Sequence, residues 1–169
     1  DVSRSPAVAG YEKGVPMGAD LPAAPAGKAP TFLVAALKDP MRGNLDRIQV
    51  IKGWVDKSGK TQEKIYDVAW GDASRRRIVG GKLTPVGSTV DVANATWTNT
   101  IGDPELITVW KDPAFDPTVR AFYYVRVLEI PTPRWTAYDA AYFKVKMDAN
   151  VPMITVERAF TSPIWYTPK

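Results

Sequence analysis

At 169 residues, with 45% hydrophobic and 24% charged residues, the chain fits one domain able to bury roughly two-thirds of its unfolded surface. It contains neither Cys nor His, which excludes thiol nucleophiles, thiolate or imidazole metal ligands, disulfides and the Ser-His-Asp triad. The net charge of +4 is modest and no nucleic-acid partner is expected, because clustered Lys and Arg rather than net charge alone make a phosphate-binding surface.

The 15 prolines favour short strands and rigid loops over long helices, since proline fixes φ and cannot donate to a ladder. No stretch approaches the roughly 20 apolar residues of a membrane span. The first residues lack the charged-then-apolar layout of a signal peptide, and a start without Met reads as a processed product or a fragment.

Residues 1–30 carry Pro6, Pro16, Pro22, Pro25 and Pro30 among Gly and Ala. That composition cannot sustain a helix interior or a central strand, and predicts an extended arm. Its Val15, Met17 and Leu21 would lie against the domain formed by 31–169. The apolar run 31–37, closed by Asp39-Pro40, predicts a buried strand. Two β-rich runs follow, 45–55 and 65–70, joined by Asp56-Lys57-Ser58-Gly59-Lys60. They predict a hairpin in which Ile48, Val50 and Trp54 share a face and Gly59 supplies the positive φ of the turn.

Arg75-Arg76-Arg77, among Gly71, Asp72, Ser74, Gly80 and Gly81, reads as a solvated surface loop. The alternation across 89–98 predicts a half-buried strand, and 105–110 another strand or one helical turn. The 112–117 stretch, with Asp-Pro at both ends, makes a stiff turn. Phe122-Tyr123-Tyr124-Val125-Arg126-Val127-Leu128 is aromatic or β-branched almost throughout and is the clearest strand. A proline-bounded insertion over 131–152 follows, with helical turns expected over 138–146. A strand over 155–160 and an extended 162–167 close the chain.

About seven or eight short strands at spacings near ten residues, with no βαβ alternation, predict an all-β fold. The expected architecture is an antiparallel two-sheet β-sandwich of immunoglobulin or fibronectin type, with Trp54, Trp97 and Tyr124 in its core and Trp135 and Trp165 partly exposed.

Pro131-Thr132-Pro133-Arg134-Trp135-Thr136-Ala137-Tyr138-Asp139 is the segment richest in chemistry. Its prolines would stiffen a loop presenting Arg134, Trp135, Tyr138 and Asp139 together: a bidentate fork for carboxylate or phosphate, a stacking wall and an orienting acid. The loop would then border a substrate cleft. The alternative is a structural corner, with Trp135 plugging the end of the sandwich and Arg134 paired to Asp139. Asp103, Asp112 and Asp116 offer oxygens to calcium, but the alternating carboxylates of a calcium loop are missing and Asp-Pro is an ordinary turn former. No catalytic or metal-ligating residue is assigned and no cofactor is expected in this chain. The six Trp and seven Tyr leave open a module that stacks on sugar rings, although aromatics at strand spacing ordinarily build a core.

Several stretches are similar to the C-terminal end of the bacterial domain of unknown function 3604 family. They are Gly14-Val15-Pro16-Met17-Gly18, Asp20-Leu21-Pro22, Pro25-Ala26-Gly27-Lys28-Ala29-Pro30-Thr31-Phe32 and Asp46-Arg47-Ile48-Gln49-Val50 with Lys52-Gly53-Trp54. The run from Phe122 through Ile130-Pro131-Thr132-Pro133-Arg134-Trp135 and the closing Glu157-Arg158-Ala159-Phe160-Thr161-Ser162-Pro163-Ile164-Trp165-Tyr166 complete the pattern. The Tyr-Tyr-Val-Arg-Val strand and the Ser-Pro-Ile-Trp ending also resemble the β-sandwich that accompanies metal-dependent hydrolase domains of the polymerase-and-histidinol-phosphatase type. The resemblance implies a longer parent, periplasmic or extracellular, whose N-terminal catalytic domain would hold a divalent metal. This chain would be its non-catalytic accessory domain, and a free-standing carbohydrate or cell-surface binding module is the alternative.

Overall fold

The computed structural model describes residues 6–25 and 27–168 and is mostly β. In chain order the elements are α1 (Pro6–Lys13), β1 (Asp20–Leu21), β2 (Thr31–Leu37), β3 (Leu45–Val55), β4 (Thr61–Trp70), β5 (Ile78–Val79) and β6 (Lys82–Leu83). Then come β7 (Glu105–Lys111), β8 (Ala121–Glu129), β9 (Thr132–Pro133), α2 (Trp135–Phe143), β10 (Ile154–Thr155), β11 (Arg158–Phe160) and β12 (Ile164–Tyr166).

The largest sheet has the order β1-β12-β8-β3-β4, with β11 also on β8. β2 pairs with β7 in a separate antiparallel ribbon running from Thr31 opposite Lys111 to Leu37 opposite Glu105. Minor pairs β5–β6 and β9–β10 complete the strands. The expectation of antiparallel pairing fails at one place: β1 runs parallel to β12, Asp20 beside Trp165, because the incoming chain travels in the same direction as its last strand.

The β3–β4 hairpin forms where the sequence predicts it. Gly59 sits at φ +83, and Asp56 organises the turn by accepting bonds from Ser58 N–H, Ser58 Oγ and Lys60 N–H at 2.9, 2.6 and 3.0 Å. Those bonds, with one from Gln62, hold the Asp56 carboxyl down at about 2. β8 is paired along β3 on its other side. Strict alternation then places Ile48, Val50, Lys52 and Trp54 on one face of β3 beside Val127, Val125, Tyr123 and Ala121 of β8.

That face is covered. One cluster joins Phe32 of β2 to Val50, Ala121, Tyr123 and Tyr166, and a second joins Leu106 of β7 to Leu45 and Ile48. The β2–β7 ribbon therefore lies over one side of the large sheet, and each fully buried Ile or Val contributes about 1.5–3 kcal/mol. Leu21 and Ala24 of the N-terminal segment pack on the same first cluster.

Several expectations are corrected. Residues 6–13 are helical; residues 1–5 and 26 of the expected arm lie outside the described residues. The 89–98 stretch is a turn, not a strand. Asp91 accepts bonds from Ala93 N–H, Asn94 N–H and Asn94 Nδ2, and Ala95 adopts φ 52, so local side-chain bonding outcompetes a ladder. Trp97 is accordingly only half-buried. In β8 it is Tyr123 that is buried, while Tyr124 points to the other face. The 155–160 run is split between β10 and β11, which pair with different partners. The helical turns of the insertion begin at Trp135, three residues early.

Candidate functional site

Leaving β8, the chain is fastened at every second or third residue. Ile130 N–H donates to Asn44 O at 2.8 Å, and Arg134 N–H to Met153 O at 2.9 Å. Thr132 and Pro133 are buried and pair with Thr155 and Ile154. Thr136 Oγ1 donates to Pro152 O, and the Ala137 side chain is fully enclosed. With φ fixed at Pro131 and Pro133, this stretch has little freedom.

Its functional side chains point the other way. Trp135 is 62% exposed and Tyr138 43% exposed, and the Arg134 guanidinium carbon lies 5.7 Å from the centre of the Trp135 ring. Arg134, in extended conformation at φ −78 and ψ 161, is the residue from which α2 starts. Trp135, Tyr138 and Tyr142 follow at helical spacing and form one aromatic face; Tyr142 is 80% exposed. Asp139, one turn into the helix, lines with Tyr138, Tyr142, Lys144 and Asn94 an open groove of about 730 Å³ between α2 and the 88–100 loop.

Arg134 and Trp135 thus meet at the N-terminal end of α2, whereas Tyr138 and Asp139 line the groove beside its middle. The structural-corner alternative does not describe them. Trp135 plugs nothing, and among the described residues Arg134 stacks on Trp135 and forms no ion pair with Asp139. Chemically the cluster offers a cation within cation–π distance of an indole, exposed phenols and a carboxylate further along the helix: groups that bind and orient an anionic or hydroxylated molecule.

The three carboxylates considered for calcium are engaged elsewhere. Asp112 Oδ2 accepts from Lys52 Nζ at 2.6 Å and from Tyr123 OH at 2.7 Å, while its Oδ1 accepts from Ala114 N–H at 2.9 Å. Asp116 caps Thr118, and Asp103 accepts from Asp72 N–H. Among the described residues no three acidic side chains gather as a cation site. Burial, and then the bond to Asp112, push the Tyr123 hydroxyl far above its ordinary range, so it serves as a permanent donor in a closed structural network.

Two features depart from the sequence expectation. Arg76, the middle of the basic run expected in a solvated loop, is instead buried: its guanidinium reaches Asp46 Oδ1 at 2.6 Å, Asp46 O and Gly71 O at 3.0 Å each, and Thr84 O at 3.0 Å. The second is the face of the large sheet opposite the core. It carries an aromatic row, Trp165, Phe122, Tyr124 and Phe160, with ring centres 5.2, 6.3 and 6.4 Å apart. Beside it Arg126 donates to Gln49 Oε1, and Gln49 Nε2 to Asp67 Oδ1. The alternation of β8 held the signal for that row, since 122, 124 and 126 must share a face.

The family described as "Protein of unknown function (DUF3604)" matches residues 2–168. No curated protein and no solved structure matches the chain.

Proposed function

The chain belongs to the DUF3604 family, and we propose that it is a non-catalytic accessory domain that packs on a metal-dependent hydrolase domain and borders its substrate cleft with Arg134, Trp135, Tyr138 and Asp139. One observation carries this reading: a segment fastened by buried residues on one side displays Arg134 beside Trp135 and the exposed Tyr138 and Tyr142 on the other. Rigid support under exposed, conformationally costly side chains is what a positioning surface needs. With neither Cys nor His present, the chemistry itself would come from the neighbouring domain and its divalent metal.

In this reading the large sheet and the β2–β7 ribbon are the two layers of an immunoglobulin- or fibronectin-like sandwich, and the parent is periplasmic or extracellular. Arg134→Ala in the full-length protein is expected to lower kcat/KM about 10- to 100-fold while leaving Tm nearly unchanged, because the side chain is held by stacking alone. Loss of Tm without loss of kcat/KM would overturn the proposal.

The aromatic row of Trp165, Phe122, Tyr124 and Phe160 favours a second reading, a carbohydrate-binding module. Oligosaccharide titrations that shift the Trp165 indole N–H resonance, and not that of Trp135, would favour it over the first.

A further inference from the structure

β7 is an edge strand without the usual protection. Register and end bonds settle which of its groups are free: Lys38 N–H donates to Pro104 O and Asp112 N–H to Pro30 O, at 2.9 and 3.2 Å. The hydrogen-bonded pairs of the β2–β7 ladder are therefore the even-numbered residues. Asp103, on the outer side, exchanges both its backbone bonds with Leu45 of β3; beyond it Glu105, Ile107, Val109 and Lys111 turn their N–H and C=O groups to the outer edge, where no strand pairs with them among the described residues. The strand has no proline, glycine or bulge, and its only charges stand at its two ends. Ile107 and Val109 are 49% and 56% exposed. Natural edges are ordinarily blunted by bulges, prolines or lysines within the strand.

The sequence of β7 is also complementary to itself. Turned antiparallel about Thr108, Glu105 meets the Lys111 of a second copy and Ile107 meets its Val109, on the same outer face. Odd residues then stand opposite odd residues, and because Thr108 is the middle of the strand the two copies overlap fully, so every outward N–H and C=O finds a partner. Opposite charges and β-branched pairs across strands each favour the pairing. The large sheet ends on the same side: its terminal strand β4 lies beneath β7, Tyr66 against Trp110 at 4.9 Å.

We propose that two copies of this chain associate through β7, antiparallel about a two-fold axis at Thr108, making one four-stranded sheet of β2, β7 and their symmetry mates. The partner is a second copy rather than an unrelated strand because the two end charges are opposite and equidistant from the axis.

Sedimentation of the 169-residue chain at micromolar to submillimolar concentration should show a monomer–dimer equilibrium. Glu105→Lys and Lys111→Glu should each weaken the dimer about tenfold, since every substitution creates two like-charge pairs, and the double variant should restore it. Val109→Pro removes an outward N–H but no bond to β2, so it should abolish the dimer while the circular dichroism spectrum is kept. Thr108 would face its own copy in a non-hydrogen-bonded pair, close enough for a disulfide. In a chain without cysteine, Thr108→Cys should give a covalent dimer on mild oxidation. A chain monomeric throughout that range overturns the proposal. So does a dimer indifferent to the single charge reversals and not captured by Thr108→Cys.

Discussion

Lys52 Nζ lies 2.6 Å from Asp112 Oδ2, across 60 residues of sequence, in a buried ion pair beneath the β2–β7 ribbon. Lys52 also donates to Ala114 O at 2.7 Å and sits 5.4 Å from the centre of the Trp54 ring. Removing one partner leaves the other charge buried and unpaired. Lys52→Met or Asp112→Ala should each cost about 3–5 kcal/mol in urea unfolding. Lys52→Met combined with Asp112→Asn, which keeps an acceptor for Tyr123, should cost less than either single change.

The three arginines of 75–77 should behave unequally. Arg76 fills four acceptors in the interior, whereas Arg75 is exposed and only touches Asp72 at 3.3 Å. Arg76→Ala should destabilise by about 3–5 kcal/mol, and Arg76→Lys should not recover it, because one ammonium cannot span the same fork. Arg75→Ala and Arg77→Ala should stay within about 0.5 kcal/mol. Thermal melts of the three alanine variants read the difference directly.

This contrast marks what the sequence made legible. β2, the β3–β4 hairpin, β7 and β8 were readable because residue type, alternation and turn chemistry agree locally. The display of Arg134, Trp135 and Tyr138 was readable from two prolines and a cluster of large side chains. Arg76 was not, since its carboxylate partner Asp46 is 30 residues earlier and a basic run in a Gly-rich loop looks solvated. The 89–98 stretch misled because its Thr, Val and Trp alternate like a strand while Asp91 alone supplies competing turn bonds. Tyr123 and Tyr124 cannot be told apart by type, and only the pairing of β8 with β3 assigns their faces.

Gly53 leaves no room for a side chain unless the Phe122 ring shifts. A Cβ there would stand 2.3 Å from Phe122 Cζ and 2.5 Å from Cε1, because the ring lies over the glycine. Gly53→Ala should cost about 1–3 kcal/mol. The cost should shrink in a Phe122→Leu background, which a double-mutant cycle by chemical denaturation would register.

Glu129 makes stability depend on pH. Burial raises its carboxyl above the ordinary 4.5, with Arg42 opposing and Glu157 and Asp39 adding to the rise. Its Oε2 is buried with no partner among the described residues. The folded state thus holds the proton more tightly than the unfolded chain, so stability declines as pH rises from 4.5 through the elevated folded value. Glu129→Gln should remove this decline, leaving the variant more stable than the parent sequence at neutral pH and close to it in acid. Tm measured across that range tests the sign.

The parallel seam between Asp20–Leu21 and Trp165–Tyr166 ties the timing of assembly to the direction of synthesis. β1 gains its backbone partner only once β12 has been made, and until then Leu21 can rest only on the part of its core cluster that earlier strands supply. Deleting Ile164–Tyr166 would therefore strip β1 of its ladder partner among the described residues, and proteolysis at Asp20 would report whether β12 has been laid down.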